Sequence, residues 1–532
     1  MSDSLARLAL FGPGQQNVVP AAEYGNKAAG LADMAALGIP VPAGFALPVD
    51  ICQSYFKNAE VLGEEVPQLL QQGMAHIERA TGTTFGGARR PLLVSVRSGA
   101  PVSMPGIMDT ILNVGLTPVT VRGLLAYTGN PRFVYDSYRR FLENYGTSIF
   151  AHPPTRYSTP LKEMIKKEGV ADERELDYQS LKTLCTIYEQ VYTVPDQQEC
   201  LWDVNRQLVQ CTMSVIRSWA SPKAKAFRSS MRVHDGTGTA VTVQAMVFGN
   251  MGASSGAGVA FTRNPWTGNR EMLVDFRFGA QGEDVVSGDR EAMTQMDIIQ
   301  VMPDVFQELL QTGNRLETHF RDLQDLEFTV QERKLYLLQS RTGKRAPLAA
   351  LQIAVDLCEE GLISPSEALD RLISIDLTSI GIQTVQAEEP PVGKGISASG
   401  GVAQGTIALS SVRAEKDADA GPVILVRETA SPDDIAGIDK SAGILTARGA
   451  RTSHAAVVAR QLGKVCIVNC ITLSIDPVRH RCTIGSVTLR EGDIISIDGN
   501  TGSVYRGRVR INTKRPDELI AKVRQWQTMT DI

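Results

Sequence analysis

The sequence feature that most constrains the fold is a glycine turn between a strand-like run and a helix-like run. It lies at the tripeptide Thr452–His454. The run Gly443–Thr446 is short, apolar and rich in β-formers, whereas residues 455–462 have helical composition and stop at Gly463. The threonine or the serine of the tripeptide is a natural N-cap, which puts the histidine in the first helical turn. Free backbone N–H groups favour an anion there, so this histidine could carry a phosphoryl group covalently. A histidine that merely caps or packs in the turn is the alternative interpretation.

At 532 residues the chain is too long for one ordinary domain, so about two to four domains are expected. It is 43% hydrophobic and 21% charged with a net charge of −4, and its scattered basic residues do not indicate nucleic-acid binding. The eight cysteines lie far apart without a C-x-x-C pair, which indicates reduced thiols. The N-terminal apolar run is too short for a signal peptide, and no stretch approaches the roughly 18 apolar residues of a membrane span. We therefore expect a soluble, multidomain, cytoplasmic protein without a membrane partner.

Two basic residues stand where the chain could hold phosphates. Residues 25–37 indicate a loop and then a short helix with a glycine stop, which puts Lys27 at the helix start. Leu92–Ser98 is a buried-type strand with Arg97 near its end, and the Gly/Pro-rich loop 99–106 that follows could cover an anionic ligand. An exposed surface lysine and a salt-bridged structural arginine are the alternatives.

The middle of the chain carries a helical region and then a glycine-rich turn. Residues from about 120 to 230 are mostly helical in pattern, with aromatic residues spaced for one buried face. The strand Ala240–Phe248, the Gly/Ser-rich loop 249–258 and a strand over 259–264 predict a hairpin whose tip could close over phosphates. A merely flexible tip is the alternative. Glu283 follows in a turn.

A second predicted hairpin carries acidic and amide side chains. Asp325 and Glu327 are two positions apart and share a strand face, as do Gln339 and Arg341. Two carboxylates and an amide suit Mg²⁺, which proteins bind through few carboxylates plus substrate phosphates. Glu327 and Gln339 share a face of the hairpin only if the residue numbers of each paired position add up to an even number. We therefore predict a connection with an odd number of residues, or a bulge. A clean two- or four-residue turn would put them on opposite faces.

After Arg345 the pattern is helical and then loosens into the Pro/Glu-rich segment 385–393, which we interpret as a linker. Beyond it, short strands alternate with glycine turns, and the meander near the end turns at Asp498–Gly502. These elements and the helix after His454 predict one compact domain.

Eight segments, in order along the chain, resemble the pyruvate phosphate dikinase family. They are Gly25–Leu31, Ser95–Thr110, Gln244–Gly252, Phe261–Gly268, Gln281–Val286, Gln324–Thr329, Leu338–Arg345 and Thr452–Arg460. The resemblance implies a multidomain chain of α/β and α+β class. An ATP-grasp nucleotide-binding domain would span 1–345 and a helical linker 346–393. A swivelling β/β/α phosphohistidine domain would follow at 394–510, with a C-terminal helical tail at 511–532.

The resemblance also implies a reaction in which ATP gives its β-phosphoryl group to the histidine and its γ-phosphoryl group to inorganic phosphate. AMP and pyrophosphate remain. His454 would be the covalent carrier, and Thr452 would match a threonine through which a regulatory enzyme switches some members. The implied ATP site comprises Lys27 and Arg97 on the phosphates, Gly106 in the loop over them, Glu283, the Mg²⁺ ligands Glu327 and Gln339 with Asp325 nearby, and Arg341 on the transferring phosphoryl group.

The sequence departs from the family at a few positions near this site. Gly449–Arg451 stands where the family usually has Gly-Gly-Met, so Arg451 adds a charge beside the carrier. Asp275 stands where the family tends to have Glu. Ala253 and Ala257 replace Asp and Thr in the glycine-rich segment, which weakens a phosphate-binding role for those side chains.

The resemblance includes no counterpart of the family's C-terminal barrel, which binds pyruvate and phosphoenolpyruvate. It therefore implies a phosphotransferase with paired acceptors whose phosphoryl group passes to a separate phosphoenolpyruvate/pyruvate-binding chain or another acceptor. The alternatives are transfer to a small molecule, as in rifampicin phosphotransferase, and a non-catalytic regulatory paralogue. A further alternative is that the sequence is a truncated form of a full dikinase.

Overall fold

The chain forms two compact units, one of residues 1–252 with 336–339 and one of residues 253–335 with 340–532. The computed structural model describes residues 7–58, 63, 65–100, 108–230, 238–282, 293–378, 380–431, 434–449, 451 and 453–530. The domain boundaries expected at 345, 393 and 510 stay predictions.

The first unit contains a five-stranded antiparallel sheet in the order β1-β2-β7-β5-β6, and β3 and β4 form a separate pair. The strands are β1 Ala9–Phe11, β2 Gly44–Leu47, β3 Thr84–Phe85, β4 Pro91–Leu92, β5 Val94–Gly99, β6 Thr110–Val114 and β7 Ala240–Ala245. The helices are α1 Ala21–Ala36, α2 Val49–Lys57, α3 Glu65–Thr81, α4 Pro118–Thr128, α5 Pro131–Phe150, α6 Thr155–Glu168, α7 Tyr178–Glu189, α8 Pro195–Trp202, α9 Val204–Ser218 and α10 Pro222–Ser230.

Helices α4 to α10 confirm the helical region expected between about 120 and 230. Phe133, Tyr138, Phe141 and Tyr145 all lie on α5 and are buried in the core of this unit. Their spacing brings them onto one face of the helix, and this face packs inwards. The aromatic stripe is therefore core, as the sequence predicts.

The second unit contains two larger sheets. One has the strand order β10-β9-β8-β11-β12 and the other β14-β24-β23-β16-β17-β18-β19-β15, while β20-β21-β22 and β13-β25 form smaller sheets. The strands are β8 Gly256–Phe261, β9 Leu273–Phe278, β10 Met293–Thr294, β11 Gln324–Gln331, β12 Lys334–Thr342, β13 Ile382–Gln386, β14 Gly393–Lys394, β15 Ile396–Ser399, β16 Val402–Ala408, β17 Val423–Arg427, β18 Gly443–Thr446, β19 Val465–Val468, β20 Leu473–Asp476, β21 Arg481–Ile484, β22 Val487–Arg490, β23 Ile494–Asp498, β24 Ser503–Arg506 and β25 Arg510–Lys514. The helices are α11 Gln295–Val301, α12 Pro303–Phe320, α13 Pro347–Glu359, α14 Pro365–Leu372, α15 Ser411–Asp417, α16 Ile435–Lys440, α17 His454–Gln461 and α18 Asp517–Thr530.

The buried Arg263, just after β8, ties the first sheet of this unit to its helices. Its guanidinium donates to Glu317 of α12 and to Glu360, which follows α13, at 2.7 Å in each case. Arg263 is fully buried, so the two carboxylates compensate a charge that would otherwise be costly in the interior. The sheet and the two helices therefore hold a fixed arrangement.

The hairpin predicted between β7 and β8 is wrong. Strand β7 lies between β2 and β5 in one sheet, and β8 lies between β9 and β11 in another. Every residue of both strands is buried, and each strand already has a hydrogen-bonded neighbour on both edges. The glycine-rich segment between them therefore connects two sheets instead of turning one strand back on the other.

Strand β13 occupies the start of the predicted linker. Val385 and Gln386 belong to β13, whose five residues pair antiparallel with Arg510–Lys514 of β25. After β25, α18 buries Ile520 and Val523 in the same apolar cluster as α13 and α14. The tail expected to be helical over 511–532 therefore contains the helix α18, but its first residues belong to strand β25.

No disulfide and no membrane-crossing helix is found in the part of the chain that the structure describes. All eight cysteines are free thiols, and all but Cys358 are buried. Burial is the largest cause of the raised pKa of Cys466, which lies at about 12. None of the helices in the described ranges combines the length and the apolar character that a bilayer crossing requires.

Helix α1 is interrupted at Gly25, whose φ of 76° and ψ of 158° are not helical. A Cβ on Gly25 would lie 1.7 Å from the carbonyl oxygen of Gly99 at the end of β5. The backbone of α1 can therefore touch this strand end only because residue 25 has no side chain.

We expect Gly25→Ala to destabilise the first unit by clearly more than Gly38→Ala, which is the matched control. Both glycines have a positive φ, but no atom of the described residues lies within 4 Å of a Cβ on Gly38. Strain in φ alone costs about 1–2 kcal/mol, whereas Gly25 adds a backbone clash. Urea unfolding of the two variants measures the difference. Equal decreases in the free energy of unfolding of the two variants would contradict a backbone clash at Gly25.

Candidate functional site

In the first unit, the segments that carry Lys27 and Arg97 meet. Arg97 lies on β5, opposite Thr110 of β6, and its strand ends at Gly99. Helix α1 resumes after the break at Gly25, so Lys27 stands at the start of a helical stretch, as predicted. Because Gly25 touches Gly99, the two cationic segments lie against each other.

For several predicted site residues, the described structure does not test the predicted role. Gly106, Glu283 and Thr452 lie outside the described residues. Gln339 is a partly exposed residue of β12 within the first unit, and its role as an Mg²⁺ ligand stays a prediction.

In the second unit, one face of the sheet around β8 carries the predicted acidic residues. Asp275 of β9 pairs with Val259 of β8, which pairs in turn with Glu327 of β11. Two residues further along β8, Phe261 pairs with Asp325 of β11. Directly paired residues share a face, and so do residues two apart along a strand. All three carboxylates therefore belong to one face, as predicted for Asp325 and Glu327.

Arg341 of β12 compensates the charge on this face. Its Nε atom donates to Oδ2 of Asp325 at 2.8 Å. Burial lowers the pKa of the Arg341 guanidinium, but the carboxylates of Asp325 and Glu327 outweigh it and raise the pKa overall. Arg341 is therefore a fixed cation beside both carboxylates, which suits a group that stabilises phosphoryl charge.

The hairpin of β11 and β12 departs at its far end from the register that its two-residue turn sets. The strands are joined by Glu332 and Arg333, with φ values of 48° and 64°, so the predicted odd-length connection is wrong. Counted from this two-residue turn, Leu323 would face Thr342. The carbonyl of Leu323 instead accepts from the N–H of Gly343 at 2.9 Å. The pairing has thus shifted by one residue just beyond the ends of both strands. A bulge nearer the turn, which would bring Glu327 and Gln339 together, stays a prediction.

The described acidic residues do not make up a complete Mg²⁺ site by themselves. Within the described ranges, no group of three or more His, Cys, Asp and Glu side chains could hold a metal ion. Asp325 already accepts from Arg341, which leaves Glu327 as the carboxylate available to a cation. An ion held through few carboxylates and completed by phosphate oxygens fits such a set.

Helix α17 begins at His454, and the predicted strand–turn–helix around it is confirmed. Ser453 occupies the N-cap position, and the helix ends before Gly463, which has a φ of 65°. The Ser453 side chain makes no capping hydrogen bond, although its hydroxyl is buried without a partner among the described residues. His454, the predicted carrier, therefore stands at a helix start, where backbone N–H groups are available to an anion.

Helix α17 packs on the acidic face of the sheet through Arg460. The Arg460 guanidinium lies 5.3 Å from the centre of the Phe261 ring, and its Nη2 atom donates to the carbonyl of Arg451 at 2.8 Å. Burial lowers the pKa of Arg460, while Asp325 and Asp275 act in the opposite direction. The helix that starts at His454 therefore lies over the same face as the predicted Mg²⁺ carboxylates.

Arg460 is a site residue to which sequence reasoning assigned no role. It stands six positions after His454 in the recognised segment, and its Nη1 atom is buried without a hydrogen-bond partner among the described residues. A buried arginine nitrogen of this kind fits an anion. The available signal was a cation in the last turn of a helix whose middle is apolar.

Comparison with known proteins finds two family descriptions that match parts of this chain. The family description "Pyruvate phosphate dikinase, AMP/ATP-binding domain" matches residues 59–301, and "PEP-utilising enzyme, mobile domain" matches residues 420–502. The chain is 40% identical over 509 residues to pyruvate, phosphate dikinase of Clostridium symbiosum, covering 94% of this chain and 58% of that protein. It is 42% identical over 491 residues to the chloroplastic pyruvate, phosphate dikinase 1 of Arabidopsis thaliana, covering 91% of this chain and 51% of the relative. The chain thus spans little more than half the length of these relatives, and over that span it belongs to the pyruvate phosphate dikinase family.

Proposed function

We propose that this chain phosphorylates its own His454 with ATP and inorganic phosphate, leaving AMP and pyrophosphate. The observation that carries the proposal is the packing of α17 on the sheet face of Asp325, Glu327 and Arg341. A carrier histidine at the start of that helix stands on the element that meets the candidate nucleotide residues. We assign the nucleotide region to the ATP-grasp type and the mobile-domain region to the swivelling β/β/α type.

Each described residue has a role that its chemistry suits. Lys27 and Arg97 hold the phosphates of ATP as cations on adjoining segments. Glu327 takes Mg²⁺, which neutralises phosphate charge when bound with the nucleotide. Arg341 stabilises the phosphoryl group in transfer because its charge is fixed by the neighbouring carboxylates. Gly106, Glu283, Gln339 and the regulatory threonine Thr452 keep the roles that the family resemblance implies.

The phosphoryl group then passes from His454 to an acceptor site outside this sequence. The relatives are named for pyruvate and phosphate, and the second matching region for enzymes that use phosphoenolpyruvate. We therefore propose pyruvate as the final acceptor and phosphoenolpyruvate as the product.

We expect β-labelled ATP, with Mg²⁺ and phosphate, to leave an acid-labile label on the protein and to release AMP. The label should be absent from His454→Ala and present in His480→Ala, which removes an exposed histidine of the same region and serves as the matched control. Label from the γ-position together with ADP would indicate ordinary kinase chemistry. No label from either position would contradict the proposal and favour a regulatory protein.

We expect Glu327→Gln to raise the Mg²⁺ concentration needed for half-maximal labelling by at least about tenfold, because it removes a carboxylate ligand. Glu332→Gln is the matched control, since Glu332 is exposed in the turn of the same hairpin. Titration of Mg²⁺ at saturating ATP measures the effect. An unchanged requirement in Glu327→Gln would remove this residue from the metal site.

A further inference from the structure

Arg451 connects the loop before His454 to the acidic face of the sheet. Its Nη1 atom lies 3.1 Å from Oδ1 of Asp275 on β9, and its Nε atom donates to the carbonyl of Ser397 at 3.3 Å. The two ends of this guanidinium therefore contact two separate segments. Arg451 stands three positions before the carrier histidine, so the contact fixes the loop that presents His454.

Asp275 is a carboxylate that needs such a partner. Its side chain is only 6% exposed, and it belongs to the sheet row of Glu327. Burial raises the pKa of Asp275, whereas the charges of Arg451 and Arg460 lower it. Without a cation nearby, this position would leave a charge buried and uncompensated.

Arg460 holds the other side of the same loop. Its Nη2 atom donates to the backbone carbonyl of Arg451, so both the side chain and the backbone of Arg451 are engaged. A second contact lies near Ser397, where the indole nitrogen of Trp266 donates to the carbonyl of Ala398 at 2.9 Å. Several bonds thus converge where the phosphohistidine region meets the sheet.

The two partners of this ion pair are both departures from the pattern that the sequence resembles. Methionine usually stands at the position of Arg451, and glutamate tends to stand at that of Asp275. A methionine has no N–H group to donate and no charge, so it could not form this pair. The ion pair with Asp275 therefore depends on the arginine that this chain has at position 451.

We propose that Arg451 and Asp275 form a docking pair that positions the His454 loop on the sheet while the histidine receives its phosphoryl group. Arg451 is a positioning residue, because it acts through the loop and not on ATP. The inference rests on the proposed function, and it adds two residues to that function without changing its chemistry.

The test compares Arg451→Met with Arg448→Met, which removes a charge from the same loop. Arg448 pairs with Glu428 at 3.3 Å, but both side chains are more than 60% exposed, so its loss should have little effect. We expect Arg451→Met to slow single-turnover labelling of His454 by about 10- to 100-fold. The ATP concentration for half-maximal rate should stay within about twofold, because no ATP contact is lost. Arg451→Lys should recover most of the rate.

A double-mutant cycle separates a docking pair from two independent effects. Asp275→Asn combined with Arg451→Met should be about as slow as the slower single variant, because each change alone already breaks the pair. If the rate loss of the double variant equals the product of the two single losses, the inference is overturned. A normal labelling rate in Arg451→Met would overturn it as well.

Hydrogen exchange tests the docking pair without any activity. Peptides that cover β9 and the first turn of α17 should exchange faster in Arg451→Met than in the wild type or Arg448→Met, with α5 unchanged as the folding control. If the wild-type protein is not labelled by ATP, the proposed function is wrong. The hydrogen-exchange rates then test the docking pair by themselves. Unchanged exchange would then overturn it.

Discussion

Charge compensation on one face of the sheet β9-β8-β11 is the constraint on which the site depends. Asp275, Asp325 and Glu327 share this face, and the first two are buried. Buried carboxylates require cations, and these come from two distant parts of the chain: Arg341 on β12 and the arginines of the His454 region. The carboxylates that we propose for Mg²⁺ therefore lie on the face on which the helix of His454 packs.

Local patterns predicted the elements around the site because each signal lies within a few residues. The run Gly443–Thr446 is the strand β18, the helix begins at His454, and the glycine after it has a positive φ. A short apolar run, an N-cap serine and a C-terminal glycine suffice to place such a unit. The same holds for the aromatic stripe of α5, whose period alone marks a buried face.

Pairing between distant segments was less accessible to sequence reasoning. Strands β7 and β8 are neighbours in sequence, but each finds its partners elsewhere, so a turn-like connection was misleading. The bulge expected in the hairpin of β11 and β12 follows only from the assumption that two ligands converge, since no residue pattern marks it. Arg451 and Asp275 were visible as separate departures, yet they lie 176 positions apart, and nothing local indicates that they meet.

The pairing of β13 with β25 changes the meaning of the predicted linker. The part of the second unit that contains the eight-stranded sheet begins after Gln386 and ends before Arg510, and these two points lie side by side in a five-residue antiparallel pair. A swing of this region would therefore turn about two adjacent connections instead of one loose segment. Two connections restrict the volume that the loop explores, which raises the effective concentration of Arg451 near Asp275. An ion pair that would be weak between separate molecules can then hold the loop at the sheet, as the phosphoryl transfer that we propose requires.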